Sequence, residues 1–116
     1  MPQAQGWPRV IPRIVTDDVV GLVEFVRTTF DAAGAVQAER PSTLWIGDSP
    51  VMISATGVRP ATPAFLYVYV ADCDGVYARA VAGGARTVEE PVDTAYGDRR
   101  ATVEDRWGNV WQIAAQ

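Results

Sequence analysis

The sequence predicts an α+β domain of two similar halves, each a strand, a helix and three further strands (βαβββ). Three observations carry this. Two β-rich segments, Ile14-Val15-Thr16-Asp17-Asp18 and Val68-Tyr69-Val70-Ala71-Asp72, both end in an aspartate. A glycine follows each aspartate at the same distance, Gly21 in one half and Gly75 in the other. Each helical pattern that begins there is succeeded by three short strand signals. An internal repeat of this kind in a chain of 116 residues reads as one domain spanning 1–116, with modules at about 9–57 and 64–115.

The elements follow in order. Asp18 and Asp72 are N-caps, because a carboxylate accepts hydrogen bonds from the unpaired N–H groups of a first helical turn. In the first helix Leu22, Phe25, Val26 and Phe30 form an apolar stripe; in the second Val76, Ala80 and Val81 do similar work. The helices stop at Gly34 and at Gly83-Gly84, where glycine tolerates the left-handed conformation. The strand signals of the first half are Ala35–Glu39, Ser42–Ile46 and Val51–Ala55, with a turn at Gly47-Asp48-Ser49-Pro50. Those of the second half are Thr87–Val92, Arg100–Glu104 and Val110–Ala114, with a turn over Asp105 to Asn109. Val58 to Pro63, with prolines at 60 and 63, is the linker.

Composition narrows the chemistry. Apolar residues make up 48% and charged residues 21%, ordinary values for a globular protein. No apolar run approaches the roughly 20 residues of a membrane span, and Met1 to Pro8 lacks the basic and apolar regions of a signal peptide. One cysteine, Cys73, fits a reducing compartment, so a cytoplasmic protein is expected. Net charge is −4 and the arginines are scattered, so no nucleic-acid partner is expected. The chain has neither histidine nor lysine, which removes Ser-His and Cys-His catalysis, imidazole-bound metals and Schiff-base chemistry. Carboxylates, arginines, tyrosines and Cys73 remain, and Cys73 lacks a neighbouring cation that would activate it.

Three stretches resemble the vicinal oxygen chelate superfamily of glyoxalases, bleomycin-resistance proteins and extradiol dioxygenases. They are Ile11 to Asp18 running into Val23-Glu24-Phe25, Leu66 to Asp74 running to Ala82-Gly83-Gly84-Ala85, and Tyr96 to Asp105 ending Gly108-Asn109-Val110-Trp111-Gln112-Ile113. The last is the most specific. The resemblance implies two curved mixed sheets around a cleft with helices on the outer side, usually in a homodimer. It implies no particular reaction, because this fold hosts many.

In metal-dependent members four ligands, usually His and Glu, stand on the first and fourth strands of each half. Carried onto this sequence, those positions are Arg13, Ile53 (matching Val51 to Val110), Tyr67 (or Leu66, one residue out of register) and Gln112. Arginine and isoleucine cannot ligate, and neutral tyrosine and glutamine bind zinc poorly, so no metal and no other cofactor is expected.

Strand alternation sends Trp45, Tyr67 and Tyr69 toward the cleft, with Arg13, Glu104 and Gln112 as polar points beside Ile53. Aromatic walls with a few polar groups suit a flat organic ligand, although strand aromatics also serve as plain packing. Trp107 fits either a cleft lid or a dimer contact. Tyr96-Gly97-Asp98-Arg99-Arg100 fits either a site at the cleft mouth or a turn closed by Asp–Arg hydrogen bonds. Asp72-Cys73-Asp74 reads as a helix cap. The favoured function is a metal-independent protein that holds an aromatic or amphipathic small molecule. The alternative is a metal-free lyase or isomerase with Glu104 and Tyr67 as acid/base groups and Arg13 holding an anion. A purely structural partner protein is a third class.

Overall fold

The computed structural model describes residues 6–116, so the first five residues of the Met1 to Pro8 stretch lie outside the described residues. The first module comprises β1 (Arg13–Thr16), α1 (Val19–Phe30), β2 (Ser42–Ile46) and β3 (Ser49–Ala55). The second comprises β4 (Phe65–Tyr69), α2 (Cys73–Ala82), β5 (Arg86–Asp93), β6 (Arg99–Glu104) and β7 (Val110–Ala115). They form two mixed sheets, ordered β1-β3-β2 and β4-β7-β6-β5, with β1 parallel to β3 and β4 parallel to β7.

Both helices start as the repeat requires. Asp18 Oδ1 accepts from Gly21 N at 3.0 Å, and Asp72 Oδ1 from Gly75 N at 3.1 Å. Helix α1 buries Leu22, Val23, Phe25, Val26 and Phe30, whereas α2 buries Cys73, Val76 and Ala80 and leaves Val81 on its outer side. Helix α1 ends at Asp31, itself left-handed at φ 55°, three residues before the expected Gly34.

The two modules differ by one strand. Ala35–Glu39 is not a strand. An isolated bridge precedes it, with Ala33 N donating to Trp45 O at 2.9 Å and Trp45 N to Ala33 O at 2.8 Å. Beyond it the only large apolar residue, Val36, is exposed, so pairing this segment along β2 would bury little. The first half is therefore βαββ.

A second difference lies at the β2–β3 hairpin. Its turn is the two residues Gly47-Asp48, since Ile46 pairs with Ser49. Gly47, at φ 58°, occupies the first turn position, where type II′ hairpins place glycine. Strand β3 thus begins two residues earlier than Val51 and carries Pro50 opposite Trp45.

The modules meet through α1 and α2. Arg79 Nε donates to Thr29 O at 3.1 Å, and the Phe30 and Trp111 rings lie 5.1 Å apart. Trp107 is neither a free lid nor a free surface residue: its Nε1 donates to Asp18 Oδ2 at 3.0 Å and its ring packs edge-on against Phe25 at 6.0 Å. The linker also contributes, because Thr62 exchanges two backbone hydrogen bonds with Val15, of 3.2 and 2.8 Å, along the outer edge of β1.

The turn from β6 to β7 is built on the buried Asp105. Its Oδ1 accepts from Trp107 N at 3.0 Å and Asn109 N at 2.9 Å, and its Oδ2 accepts from Asn109 Nδ2 and Trp111 Nε1, both at 2.9 Å. Asn109 Oδ1 in turn accepts from Ala64 N at 2.9 Å, one residue before β4. Asp105→Ala should therefore destabilise the fold by about 3 kcal/mol or more, because buried donors lose their acceptor together. Asp105→Asn keeps one carbonyl oxygen and should lose less. Denaturant melts followed by circular dichroism measure both, and a wild-type midpoint for the alanine variant would refute the assignment.

Candidate functional site

Each sheet buries one face under the helices and leaves the other open. Residues paired across strands share a face, so the register identifies the open one. On the first sheet Arg13 pairs with Met52, Met52 with Thr43, and Trp45 with Pro50, which places all five on the open side. Arg13 is held by Ser54, with Nε donating to Oγ at 2.9 Å. Trp45 is half-buried, its ring 5.5 Å from that of Trp7.

Ile53 does not belong to this face. It pairs with Ile14 and Ser42, is buried, and packs in the core with Leu22 and Leu44. Matching Val51 to Val110 displaced the register by one residue, and a one-residue slip exchanges the two faces of a strand. The position opposite Arg13, as Gln112 is opposite Tyr67, is Met52.

The four first- and last-strand positions are thus Arg13, Met52, Tyr67 and Gln112. This set does not fit a divalent ion: a guanidinium repels one, and a thioether, a phenol and an amide are weak donors without an imidazole or carboxylate among them. Among the described residues no group of three acidic, cysteine or histidine side chains is placed to hold a metal elsewhere.

The second sheet carries a connected polar network on its open face. Tyr67, Tyr69, Gln112, Thr102 and Glu104 all lie there, as the alternation of these strands predicts. Tyr67 and Tyr69 are exposed and their rings meet edge-on at 5.4 Å. Both phenols donate to one oxygen of the buried Asp98, at 2.7 and 2.8 Å. The Tyr67 hydroxyl also meets that of Tyr96 at 3.3 Å, and Arg100 donates to Tyr96 at 2.8 Å. Arg100 grips Glu89 with two nitrogens, at 2.8 and 3.1 Å, and Thr102 donates to Glu89 at 3.2 Å.

These contacts set the protonation states. The hydroxyl of Tyr96 and the carboxylate of Asp98 both raise the Tyr67 phenol well above its ordinary value, and Asp98 raises Tyr69. Arg100 lowers the Glu89 carboxyl. Burial pushes the Cys73 thiol up, and its Sγ lies 3.3 Å from Ile113 O, so it is a core residue rather than a nucleophile.

The seven candidate residues therefore fall into three places. Arg13 and Trp45 lie on the open face of the first sheet. Tyr67, Tyr69, Gln112 and Glu104 lie on that of the second, and Ile53 is in the core. The sheets share no hydrogen-bonded edge, so one chain does not bring the first two groups together through its strands. Glu104 is paired with Arg86, while the Tyr67 proton is committed to Asp98, so the two proposed acid/base groups are engaged separately. Tyr67 and Tyr69 also border an open groove of about 930 Å³ between β4 and the β2–β3 hairpin, which Leu66, Val68 and Ile46 make apolar.

Residues 94–100 resolve the two readings of that segment. The turn is closed by Thr94, which bonds Asp98 N and O, and by an Asp–Arg bond between its flanking residues, Arg99 Nη1 donating to Asp93, while the Asp98 side chain takes no arginine. Arg99 turns to Asp74 at 2.8 Å and Asp93 at 3.1 Å. Sequence reasoning left Asp98, Glu89 and Met52 out of the site.

Comparison with known proteins agrees with this architecture. The family model described as Glyoxalase/Bleomycin resistance protein/Dioxygenase superfamily matches residues 13–113. An uncharacterized protein of Mycobacterium bovis is 27% identical over 124 residues, covering 91% of this chain and 82% of that protein. The anthracycline biosynthesis protein DauV of Streptomyces sp. strain C5 is 36% identical over 121 residues, covering 97% of this chain but 42% of the relative. The crystal structure of TioX from Micromonospora sp. ML1 superposes with a TM-score of 0.80 at 22% identity, covering 94% of this chain and 98% of TioX. A family enzyme from Burkholderia phytofirmans gives a TM-score of 0.75 at 21% identity, over 90% and 95% of the two chains. At these identities the two structures speak for the fold alone.

The tyrosine–Asp98 cluster predicts an alkaline signature. Tyr67 and Tyr69 hold their protons more tightly folded than unfolded. Below the ordinary phenol value of about 10 their contribution is fully present. Above it the unfolded chain releases protons first, so stability falls as pH rises. Without lysine, few other groups titrate in this window. Melting temperature measured from about pH 9 to about pH 11.5 should fall, and should fall less steeply in Asp98→Asn. Equal slopes would mean that the phenols do not depend on Asp98.

Proposed function

The chain belongs to the Glyoxalase/Bleomycin resistance protein/Dioxygenase superfamily, and within it we propose that it is a metal-independent binding protein for an aromatic or amphipathic small molecule. The observation that carries this is the row Phe65, Tyr67 and Tyr69 on the open face of β4, exposed by 69%, 39% and 56%. Exposed aromatics in register on a sheet are a stacking surface, and the hydroxyls of the two tyrosines are already fixed by Asp98. Metal independence rests on the donor chemistry of Arg13, Met52, Tyr67 and Gln112. The likeness to a protein named for anthracycline biosynthesis supports a small-molecule setting.

The acid/base alternative has less behind it. Glu104 and Tyr67 each have another partner, and a phenol with a raised pKa is a poorer proton donor near neutral pH.

We further propose that the site is completed in a homodimer, with the Arg13–Trp45 face of one subunit opposing the tyrosine face of the other. Two open faces on sheets that share no hydrogen-bonded edge favour such pairing, and so does the apolar area they leave in water. No helix among the described residues is long and apolar enough to cross a membrane. With a free, buried Cys73 we place the protein in the cytoplasm, with no nucleic-acid partner.

Two measurements test this reading. Planar aromatic compounds should quench tryptophan fluorescence saturably and to the same extent with or without a chelator. Trp45→Ala should weaken that binding by roughly 1–3 kcal/mol while melting close to wild type, and Glu104→Gln should change it less. A Trp45→Ala variant that melts normally and binds equally well would remove Trp45 from the site. Sedimentation at tens of micromolar, about the range that exposes weak dimers, should give a dimer; a monomer would refute the shared cleft.

A further inference from the structure

Asp98 is 4% exposed, yet both of its side-chain hydrogen bonds go to one oxygen, Oδ2, and both donors are phenols. Its Oδ1 accepts nothing from the described residues. No guanidinium balances the charge. Arg100, the nearest cation along the network, is held by both oxygens of Glu89, and Arg99 is held by Asp74 and Asp93. Among the described residues Asp98 therefore has no ion pair, and the open face around the tyrosines carries its negative charge. That charge also acts through the rings, because a phenol that donates to a carboxylate carries more electron density on its face.

We propose that the bound molecule is an organic cation, a protonated or quaternary amine on an aromatic body, seated on the Tyr67 and Tyr69 rings with its charge toward Asp98. This rests on the binding reading above and adds the charge class of the ligand. A buried carboxylate with neutral donors on one side only is costly, and a cation over the rings offsets that cost. Cation–ring contacts of this kind add about 1–2 kcal/mol when partly desolvated, which corresponds to roughly a tenfold gain in affinity. An anionic ligand would instead have to seek Arg13 on the first sheet.

Three probes that share one ring system separate these cases: 9-(aminomethyl)anthracene, 9-anthracenemethanol and 9-anthracenecarboxylate, titrated by calorimetry at low salt into the full chain. The amine should bind about tenfold more tightly than the alcohol, and the carboxylate most weakly. In Asp98→Asn the advantage of amine over alcohol should shrink to within about threefold. Tyr69→Leu, which removes a ring and one of the two hydrogen bonds on Asp98 but leaves the charge in place, should also reduce it. Thermal melts confirm that both variants fold. Amine and alcohol binding alike in the wild type, or an amine advantage that survives Asp98→Asn, would overturn the proposal and leave the binding reading standing. A preference for the carboxylate would overturn it in favour of Arg13. Binding of none of the three would count against the binding reading itself.

Discussion

Four hydrogen bonds converge on the Asp105 carboxylate, and the geometry of both modules depends on them. They close the last turn, and they hold the Trp111 indole in the core by its only polar atom. They also orient Asn109 so that its oxygen catches Ala64 N just before β4. That contact anchors the start of β4 beside the start of β7, where Phe65 pairs with Val110. The register then decides that Tyr67 and Tyr69, rather than Leu66 and Val68, look outward. The same turn positions Trp107, whose indole reaches Asp18 at the head of the other module's helix. Gly21 leaves room for that contact: a Cβ there would come within 2.2 Å of Asp18 Oδ2 and 2.9 Å of the Trp107 ring.

Much of the fold was legible in the sequence because its signals are local. Aspartate followed three residues later by glycine marks both helix starts, and both caps form. The period-two pattern of β4 and β7 sends the right side chains outward, since each of those strands has one apolar face and short, clear ends. The first half was harder to read for physical reasons. Gly47-Asp48-Ser49-Pro50 resembles a four-residue turn, but glycine at the first position permits a tighter one. Strand β3 then starts earlier, and its alternation must be counted from Ser49. Met52 and Ile53 are both apolar, so hydrophobicity alone cannot tell which of them faces the core. The segment Ala35–Glu39 offers a weak alternation without enough apolar surface to reward pairing, and the chain leaves β2 after the single bridge at Ala33.

The site was legible only where one strand carries it. Tyr67 and Tyr69 follow from alternation within five residues, whereas their partner Asp98 is about thirty positions away and reaches them only because β7 lies between β4 and β6. Ala114 sits between Tyr69 and Arg100 in that register, and its small side chain leaves space for the tyrosine to reach across. A tyrosine pair on an edge strand, with an alanine on the neighbouring strand and an aspartate in the next hairpin, is the signal that could have found the cluster. Arg99 and Arg100 drew attention instead because they adjoin Asp98 in sequence. Successive strand residues point to opposite faces, so Arg99 could not share a side with Arg100.

Two aspartates of this chain, Asp98 and Asp105, are equally buried at 4% exposure, and the difference between them separates structure from function. A carboxylate offers about four acceptor sites. Asp105 fills its sites with two backbone and two side-chain donors from the turn it organises, so its burial cost is met within the fold. Asp98 fills two, on one oxygen, with phenols from a strand that is already in register without them. The β5–β6 hairpin is closed by Thr94 and does not need the Asp98 side chain either. A buried charge that the turn does not require, placed on the open face of a sheet, has a use beyond the fold. It fixes the two phenols in position and gives the aromatic surface above it a sign.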